Sequence, residues 1–313
     1  MLNKQNYIKF AEKEQTLPIF SQPWWLDVAC GKDNWGVSIV MEGDDIAAVC
    51  PYYTYRKKGF LFLGQPVLTP FLGPWYKPKA NAKYPKLLSR EKKLLQELEA
   101  GLPDCDIYQQ NWQSTRINWL PFFWKGYNQT SRVTYRIECL DDLDVVYAGF
   151  QGNIKTDIRK AEKLNVEVVE ASVDDFLSLN EKVFTRQDTK MPYSKEFIHK
   201  LDSACAENSS RKIFLAKDQN GNHHAAVYIV WDSESAYYLM GGGDAGYRSS
   251  GATSLCLWEA IKFSSTVTKQ FDFEGSMMEP VEKFVRAFGG RQIQYNHISK
   301  VNSKLLKLIK AIR

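Results

Sequence analysis

The chain repeats one order of secondary-structure elements, and this repetition constrains its fold more than any other feature. Three strand-like runs, a helix-like segment and a further strand follow one another in each half. The first half contains them at residues 36–41, 46–55, 59–63, 85–99 and 105–110, and the second half at 212–217, 224–231, 235–240, 251–264 and 269–274. We therefore predict an α/β (α+β) chain built from two tandem copies of one unit.

The two copies differ in the segment that follows the third strand. In the second copy this strand ends in Gly241, Gly242 and Gly243, and Gly251 stands at the start of the helix. A turn of this kind leaves backbone N–H groups and a helix N-terminus facing one small volume, which suits a phosphate. The first copy has four prolines within residues 64–78, and proline has no N–H donor. The second copy is thus the predicted phosphate binder, with a plain glycine-rich turn as the alternative.

Size and charge allow two domains but identify no ligand. The 313 residues carry a net charge of +5, which would attract a phosphorylated cofactor, an anionic acceptor or RNA. The N-terminal residues lack the apolar core of a signal peptide, and no apolar run is long enough to span a membrane. The six cysteines form no CxxC pair, which is typical of cytosolic proteins with free thiols. We expect a cytoplasmic protein.

Two further segments are basic and helix-like. Residues 153–164 carry Lys155, Arg159 and Lys163 at a spacing of four, which puts them on one stripe of a helix. Such a stripe is either a solvated face or a surface that steers an anion, and Arg159 is included among the predicted substrate contacts. The tail at 303–313 predicts a basic amphipathic helix, which docks on the domain or makes weak contact with an anionic membrane.

The order of elements in the second half resembles that of the GNAT acyltransferase fold. In that family the acyl-CoA pyrophosphate loop reads Gln/Arg-x-x-Gly-x-Gly/Ala, and Arg248, Gly251 and Thr253 stand at the corresponding positions, with Thr253 as a departure. The duplication resembles the FemAB-like branch, including its BioF2-like members, which carry two GNAT-like lobes. Three other segments are similar to that branch, at residues 153–168, 271–276 and 284–291.

The resemblance implies a mixed, mostly antiparallel central sheet flanked by helices in each lobe. It suggests a degenerate N-terminal lobe at residues 1–140, which forms a wall on the acceptor side. A donor-binding lobe follows at 141–300, and the basic helix occupies 301–313.

The resemblance also implies an N-acyltransferase that moves an acyl group from acyl-CoA or an acyl-carrier protein to an amine. Amino sugars and cell-envelope or polysaccharide precursors are the implied acceptors. Members that depend on tRNA often carry a long coiled coil, and the absence of such a heptad run favours acyl-CoA as the donor. An aminoacyl-tRNA-dependent peptidyltransferase is the alternative, and a non-catalytic binding module with a degraded CoA loop is the second. DNA is not an expected partner.

In GNAT-like sites, backbone N–H groups of the strand before the phosphate loop polarise the thioester carbonyl. The resulting donor-binding prediction comprises Met240, Gly241, Gly242, Arg248, Ser249, Ser250, Gly251, Ala252 and Thr253. Glu274 ends a strand whose Phe271 and Phe273 point into the core, so it is the predicted proton acceptor, or else a surface carboxylate. Asp244 and Tyr247, in the loop itself, are secondary candidates for the base and the acid.

The acceptor side of this family type borders the segment after the predicted helix at 174–184. Arg186 and Tyr193 lie there, and the guanidinium of Arg186 could hold an acceptor carboxylate or phosphate, or simply satisfy the end of the helix. His223 and His224 are adjacent in a strand and face opposite sides, so they cannot share one metal ion. We predict no metal site.

Overall fold

The computed structural model describes residues 2–79, 82–275 and 277–311, and its contacts divide the chain into two compact units. The first unit comprises Met1–Arg132 and Gln294–Arg313, and the second comprises Val133–Ile293. The sequence predicts that each lobe is one continuous segment, whereas the first unit also includes residues 294–313 from the end of the chain. The roles predicted for the two lobes stay predictions.

The described strands, in chain order, are β1 (Trp35–Glu42), β2 (Asp45–Lys57), β3 (Phe60–Gly64), β4 (Trp75–Tyr76), β5 (Ile107–Asn111), β6 (Asn128–Ile137), β7 (Glu167–Glu170), β8 (Arg211–Lys217), β9 (His223–Trp231), β10 (Ser235–Gly243), β11 (Gln270–Asp272) and β12 (Arg291–Val301). The helices are α1 (Leu2–Ala11), α2 (Pro23–Ala29), α3 (Tyr84–Ala100), α4 (Leu120–Trp124), α5 (Leu143–Gly149), α6 (Gly152–Lys163), α7 (Val173–Arg186), α8 (Lys195–Glu207), α9 (Ala252–Ser264), α10 (Glu279–Arg286) and α11 (Lys304–Ala311). Short 3₁₀ helices lie at Ile19–Ser21 and Ala245–Ser250.

In the first unit, β1, β2 and β3 form an antiparallel meander, and β5 lies parallel to β3. The end of β12 pairs antiparallel with β5, and β4 pairs with β2. Helix α3 buries Leu94, Leu95 and Leu98 on one side, as the spacing of an amphipathic helix requires. Indole rings fill much of the core, and Trp25 and Trp112 are fully buried.

In the second unit, β8, β9 and β10 form the antiparallel meander, and β11 lies parallel to β10. β7 extends the sheet beside β8, and Ile137 and Arg136 of β6 pair antiparallel with β11. Helices α6 and α9 contribute to the main core of this unit, where Ile154, Ile158 and Ile261 are buried.

Both units therefore contain a three-stranded meander, a helix and a parallel strand in the predicted order, and the predicted mixed, mostly antiparallel fold is confirmed. The strand that pairs with each parallel strand does not directly follow it in the chain. β6 follows the elements of the first unit but pairs with β11 of the second, and β12 follows the second unit but pairs with β5 of the first. In both units, the strand paired with the parallel strand therefore lies far from it in the sequence.

Gly242 is needed where α7 packs against β10. A Cβ atom at Gly242 would lie 2.8 Å from the backbone nitrogen of Asn180 and 2.9 Å from the carbonyl carbon of Leu179. At the next residue, Gly243, the nearest atom to an added Cβ is the carbonyl oxygen of His224 at 3.7 Å, an ordinary contact.

We expect Gly242→Ala to lower the free energy of unfolding by about 1–3 kcal/mol, because backbone atoms of α7 must move. Gly243→Ala is the matched control and should change it by less than about 0.5 kcal/mol. Urea unfolding measures both values. Equal losses in the two variants would show that α7 does not pack closely on β10.

Candidate active site

Strands β10 and β11 run side by side for only three residues and then part. Residues 235–237 pair with residues 270–272, and in the part of the chain that the structure describes, residues 238–243 continue against β9 alone. The chain after β11 turns to the opposite neighbour, because the N–H of Phe273 donates to the carbonyl of Tyr135 at 2.9 Å. In the described chain, the parting of the two parallel strands leaves this edge of β10 without a neighbouring strand beside the end of β11.

In the first unit, the position at the end of the parallel strand β5 is occupied by residues 64–78, the proline-rich loop. The N–H of Asn111, at the end of β5, donates to the side chain of Gln65 at 3.0 Å. The side-chain amide of Asn111 donates to the carbonyl of Pro70 at 2.9 Å. The backbone carbonyl of Asn111 accepts from the N–H of Leu72 at 2.8 Å. The loop therefore binds the end of β5, and the polar groups there are already used.

The loop after β10 is a 3₁₀ helix, Ala245–Ser250, whose N-cap is Asp244. One carboxylate oxygen of Asp244 accepts the N–H of Gly246 at 2.8 Å, and the other forms an ion pair with Lys182 of α7. The hydrogen bond from Lys182 is the largest of the causes that lower the pKa of Asp244. A carboxylate with these partners is a weak proton acceptor, so Asp244 anchors the loop.

The loop ends at Gly251, which has a φ of 79° and precedes the first turn of α9. A Cβ atom here would lie 2.1 Å from the carbonyl oxygen of Asp157 in α6, so only glycine fits. Asp157 also accepts the hydroxyl of Ser254 at 3.3 Å, while the N–H of Ala252 donates to the hydroxyl of Ser250 at 3.3 Å. α6 thus supports the N-terminus of α9 from one side.

The exposed side of the loop carries the predicted phosphate ligands. The side chains of Arg248 and Ser249 are exposed, and Thr253 in the first turn of α9 is partly exposed. An arginine beside a helix N-terminus combines a permanent positive charge with the positive end of the helix dipole. This arrangement can hold an anion.

A chain of two hydrogen bonds connects Tyr193 to the glycines of β10. The hydroxyl of Tyr193 donates to the side-chain oxygen of Asn180 at 3.0 Å, and the Asn180 amide donates to the carbonyl of Gly241 at 2.7 Å. Burial raises the pKa of the Tyr193 hydroxyl. Tyr193, predicted at the acceptor side, and Gly241, predicted at the donor side, are thereby joined through one buried asparagine.

Glu274 stands where β11 has ended, with a φ of 58°. This left-handed conformation is uncommon for a residue with a side chain and is found where surrounding contacts enforce it. Gly275 follows with a φ of 41°, and a Cβ there would lie 2.3 Å from the carbonyl oxygen of Val133. Burial and the charge of Asp272 raise the pKa of the Glu274 carboxyl well above its usual range, and Arg136 offsets part of this.

Asp272 holds this corner in place. Its carboxylate accepts two hydrogen bonds from Arg136, at 2.9 and 2.8 Å, and one from the hydroxyl of Thr134. It also accepts the N–H of Glu274 at 2.9 Å. Both carboxylate oxygens of Asp272 are therefore hydrogen-bonded, which fixes the position of the chain where Glu274 begins. Ser276, which the sequence analysis grouped with these residues, lies outside the described residues.

Two predicted substrate residues lie apart from this arrangement. Arg186 is exposed in the last turn of α7, and Arg159 is exposed on α6, whose Ile154 and Ile158 face the core. Within residues 2–79, 82–275 and 277–311, no hydrogen bond or ion pair joins either arginine to the loop or to Glu274.

Sequence reasoning missed four residues that shape the site, namely Asp157, Asn180, Lys182 and His224. Asn180 had a detectable signal, because it interrupts the apolar face that Phe176, Leu177 and Leu179 form on α7. His224 also has a detectable signal, because a histidine within a strand of apolar residues needs a polar partner. In the described chain, no cluster of three metal-ligating side chains occurs, and no helix is long and apolar enough to cross a bilayer.

Comparisons with known proteins agree with this geometry. Residues 148–275 match a family model described as an acetyltransferase (GNAT) domain. The fold is similar to that of FemX, with a TM-score of 0.68, 11% identical residues and 98% of each chain covered. It is also similar to the C-terminal domain of a protein described as a lysylphosphatidylglycerol synthetase from Agrobacterium fabrum, with a TM-score of 0.56, 10% identity, and 99% and 96% of the two chains covered.

The L-PGS structure from Bacillus licheniformis is a third similar fold, with a TM-score of 0.50, 11% identity, and 88% and 87% of the two chains covered. A search of curated proteins found no match. The chain has the FemAB-like tandem GNAT fold, as the resemblance implied.

The raised pKa of Glu274 predicts a stability effect with a defined sign. A carboxyl whose pKa is higher in the folded than in the unfolded protein destabilises the fold as pH rises above its unfolded-state pKa, about 4.3. We expect Glu274→Gln to match the parent protein below about pH 4 and to unfold at a higher temperature near pH 8.

Thermal unfolding across this pH range measures the difference, and Glu279→Gln, an exposed glutamate in the same segment, is the control. The Glu279 variant should show no comparable growth of the gap with pH. A Glu274→Gln variant whose stability difference is the same at every pH would contradict the burial of this carboxyl.

Proposed function

We propose that the second unit is the active site of an N-acyltransferase that takes its acyl group from acyl-CoA and passes it to an amine. The observation that carries the proposal is the parting of β10 and β11 at Tyr237 and Asp272, beside the N-terminus of α9. The match to an acetyltransferase (GNAT) domain at residues 148–275 supports it, because the matched segment contains the loop and Glu274. No metal ion is part of the proposed reaction.

In the proposed reaction, the amine nitrogen attacks the thioester carbon, the carbon–sulfur bond breaks, and the CoA thiolate leaves. On the edge of β10 that faces away from β9, alternate residues within the segment Met240, Gly241 and Gly242 supply backbone N–H groups that stabilise the developing oxyanion. Glu274 takes the proton that the amine loses. Its raised pKa suits this role, because a carboxyl with a higher pKa is a stronger proton acceptor.

The loop binds the pyrophosphate of the donor. Arg248 supplies charge, Ser249, Ser250 and the backbone around Gly251 and Ala252 supply donors, and the hydroxyl of Thr253 compensates for the branched side chain at that position. Tyr247 is retained as a candidate acid for the leaving thiolate.

The acceptor is an amine on an amino sugar or on a cell-envelope or polysaccharide precursor, handled in the cytoplasm. Tyr193 is the proposed contact to the acceptor, because Asn180 connects its hydroxyl to β10, the strand proposed to hold the thioester. Arg186 and Arg159 are exposed cations that would guide an anionic acceptor toward the site. An acyl-carrier protein is a second possible donor, since it presents the same thioester.

The alternative donor is an aminoacyl-tRNA, and a non-catalytic binding role is the second alternative. The tRNA alternative is retained because the FemAB-like resemblance includes members that depend on aminoacyl-tRNA. RNA binding that weakens steeply with added salt would support it, because counterion release accompanies phosphate contacts. Binding of acyl-CoA without acyl transfer to any amine would support the non-catalytic role.

We expect CoA, acetyl-CoA or a longer acyl-CoA to raise the unfolding temperature, because a ligand that binds only the folded state stabilises it. Arg248→Ala should weaken this binding by about tenfold, the loss of one charged hydrogen bond, without changing stability in the absence of ligand. Arg291→Ala, at an exposed arginine of the same unit, is the control. No stabilisation at ligand concentrations far above micromolar would reject CoA as the donor.

Once an amine acceptor is found, Glu274→Gln should lower kcat by at least about 100-fold, because the amide cannot accept the proton. KM for the acyl donor should change little, since Glu274 lies at the end of β11 and not in the loop. Glu279→Gln should keep the parent rate in the same steady-state assay. A Glu274→Gln enzyme with parental kcat would remove Glu274 from the mechanism.

Helix α11 is proposed to make weak contact with an anionic membrane surface. Leu305 and Leu308 are 57% and 60% exposed on one side of this helix, and Lys304 and Lys307 are exposed beside them. Apolar and basic side chains on one short helix favour the surface of anionic bilayers.

Sedimentation with vesicles of phosphatidylcholine and phosphatidylglycerol should therefore carry down a larger fraction of the protein than vesicles of phosphatidylcholine alone. The double variant Leu305→Ser, Leu308→Ser should lose this difference. Equal sedimentation of the parent protein with both vesicles would contradict the membrane contact.

A further inference from the structure

His224 lies on β9 directly beneath the loop and is 6% exposed. Its Nδ1 atom is 3.2 Å from the hydroxyl oxygen of Ser250, and its Nε2 atom is 3.4 Å from a carboxylate oxygen of Asp218. The ring of Tyr247 stacks on its face, with the centroids 4.0 Å apart and the planes 8° from parallel. One imidazole therefore supports the loop at two of its residues, Tyr247 and Ser250.

Ser250 passes this contact on to α9. It is 5% exposed, and its hydroxyl oxygen accepts the N–H of Ala252 at 3.3 Å. A serine hydroxyl has one proton to donate and two lone pairs that accept. His224 takes up either the proton or one lone pair of the Ser250 hydroxyl. This choice decides whether the hydroxyl can still donate to a ligand at the start of α9.

We propose that His224 is a positioning residue whose protonation turns the Ser250 hydroxyl toward a bound phosphate. With a neutral ring, Nε2 carries the proton and faces Asp218, and Nδ1 accepts the proton of the Ser250 hydroxyl. With a protonated ring, Nδ1–H donates to the Ser250 oxygen, whose second lone pair holds the N–H of Ala252. The hydroxyl proton is then released, and it needs a new acceptor at the N-terminus of α9.

A phosphate oxygen of the donor is such an acceptor, so the inference rests on the proposed acyl-CoA function. A buried hydroxyl proton without a partner is costly, and therefore protonation of His224 and binding of an anion favour each other. This coupling is reciprocal, as any linkage between two binding equilibria must be.

Two carboxylates and one aromatic ring lie around the His224 ring. Hydrogen bonds from Asn222, the largest cause, lower the pKa of Asp218 to about 2, so Asp218 offers a fixed negative charge to the protonated ring. Asp244 is the other carboxylate near His224, and its charge is paired with Lys182 of α7. Tyr247, which is also titratable, offers the face of its ring.

The test is calorimetric titration with dephospho-CoA at about pH 8 and about pH 5.5, which bracket the range in which histidine ordinarily titrates. Dephospho-CoA keeps the pyrophosphate but has no terminal phosphate monoester, so its own charge is constant over this range. The parent protein should bind about tenfold more tightly at the lower pH, the gain expected from one added hydrogen bond to a charged group.

Two variants assign the effect. His224→Gln removes the titrating ring, and Ser250→Ala removes the hydroxyl while keeping the ring. Either change should reduce the pH dependence to less than about twofold. His199→Gln is the control, because His199 is a half-exposed histidine whose ion pair with Asp174 lies on the surface. It should keep the parental pH dependence. Should His224→Gln fail to fold, Ser250→Ala decides alone.

The outcomes distinguish a failure of the proposed role of His224 from a failure of the proposed function. Binding that is equally strong at both pH values, or a pH dependence that survives both substitutions, overturns the role of His224 and leaves the proposed function standing. Failure of dephospho-CoA and CoA to bind at either pH overturns the proposed donor, and this inference with it.

Discussion

Strands β10 and β11 stay paired over only a short length, and the geometry of the candidate site follows from where they part. They share three residues of parallel ladder, and then β11 turns toward Tyr135 while β10 continues with β9. Backbone N–H groups that are left unpaired at such a place must find other partners, and a ligand carbonyl or phosphate is one. Glu274 is held in a left-handed conformation at this corner by the Asp272–Arg136 pair, so the carboxyl and the unpaired strand edge result from the same divergence.

The two units share one topology but differ at the end of the parallel strand, where a loop covers β5 in the first unit and none covers β11 in the described part of the second. In the first unit, the loop with four prolines uses its own groups to bind Asn111 at the end of β5. In the second unit, the loop turns away through a 3₁₀ helix and delivers Gly251 to α9. The difference follows from residue type, because prolines lack donors whereas glycines permit the left-handed turn and the close approach of α6.

Much of the fold could be predicted, because its signals are local. The limits of β8, β9 and α9 follow from strand alternation, turn residues and Gly251, and each was predicted to within two residues. The exchange of β6 and β12 could not be predicted, since a strand's partner is not encoded in its own pattern. For the site, local patterns place the loop after β10 and Glu274 at the end of β11, and their roles stay predictions. The link from Asn180 to Gly241 depends on tertiary contacts between distant elements. The position of His224 against Ser250 has the same origin.

Amide hydrogen exchange with and without acetyl-CoA shows which unit binds the donor. We expect slower exchange in residues 238–256, where β10, the loop and the first turn of α9 would close around the donor, and no change in residues 64–78. Protection of the proline-rich loop of the first unit instead, or no protection anywhere at saturating ligand, would contradict the assignment of the donor site to the second unit.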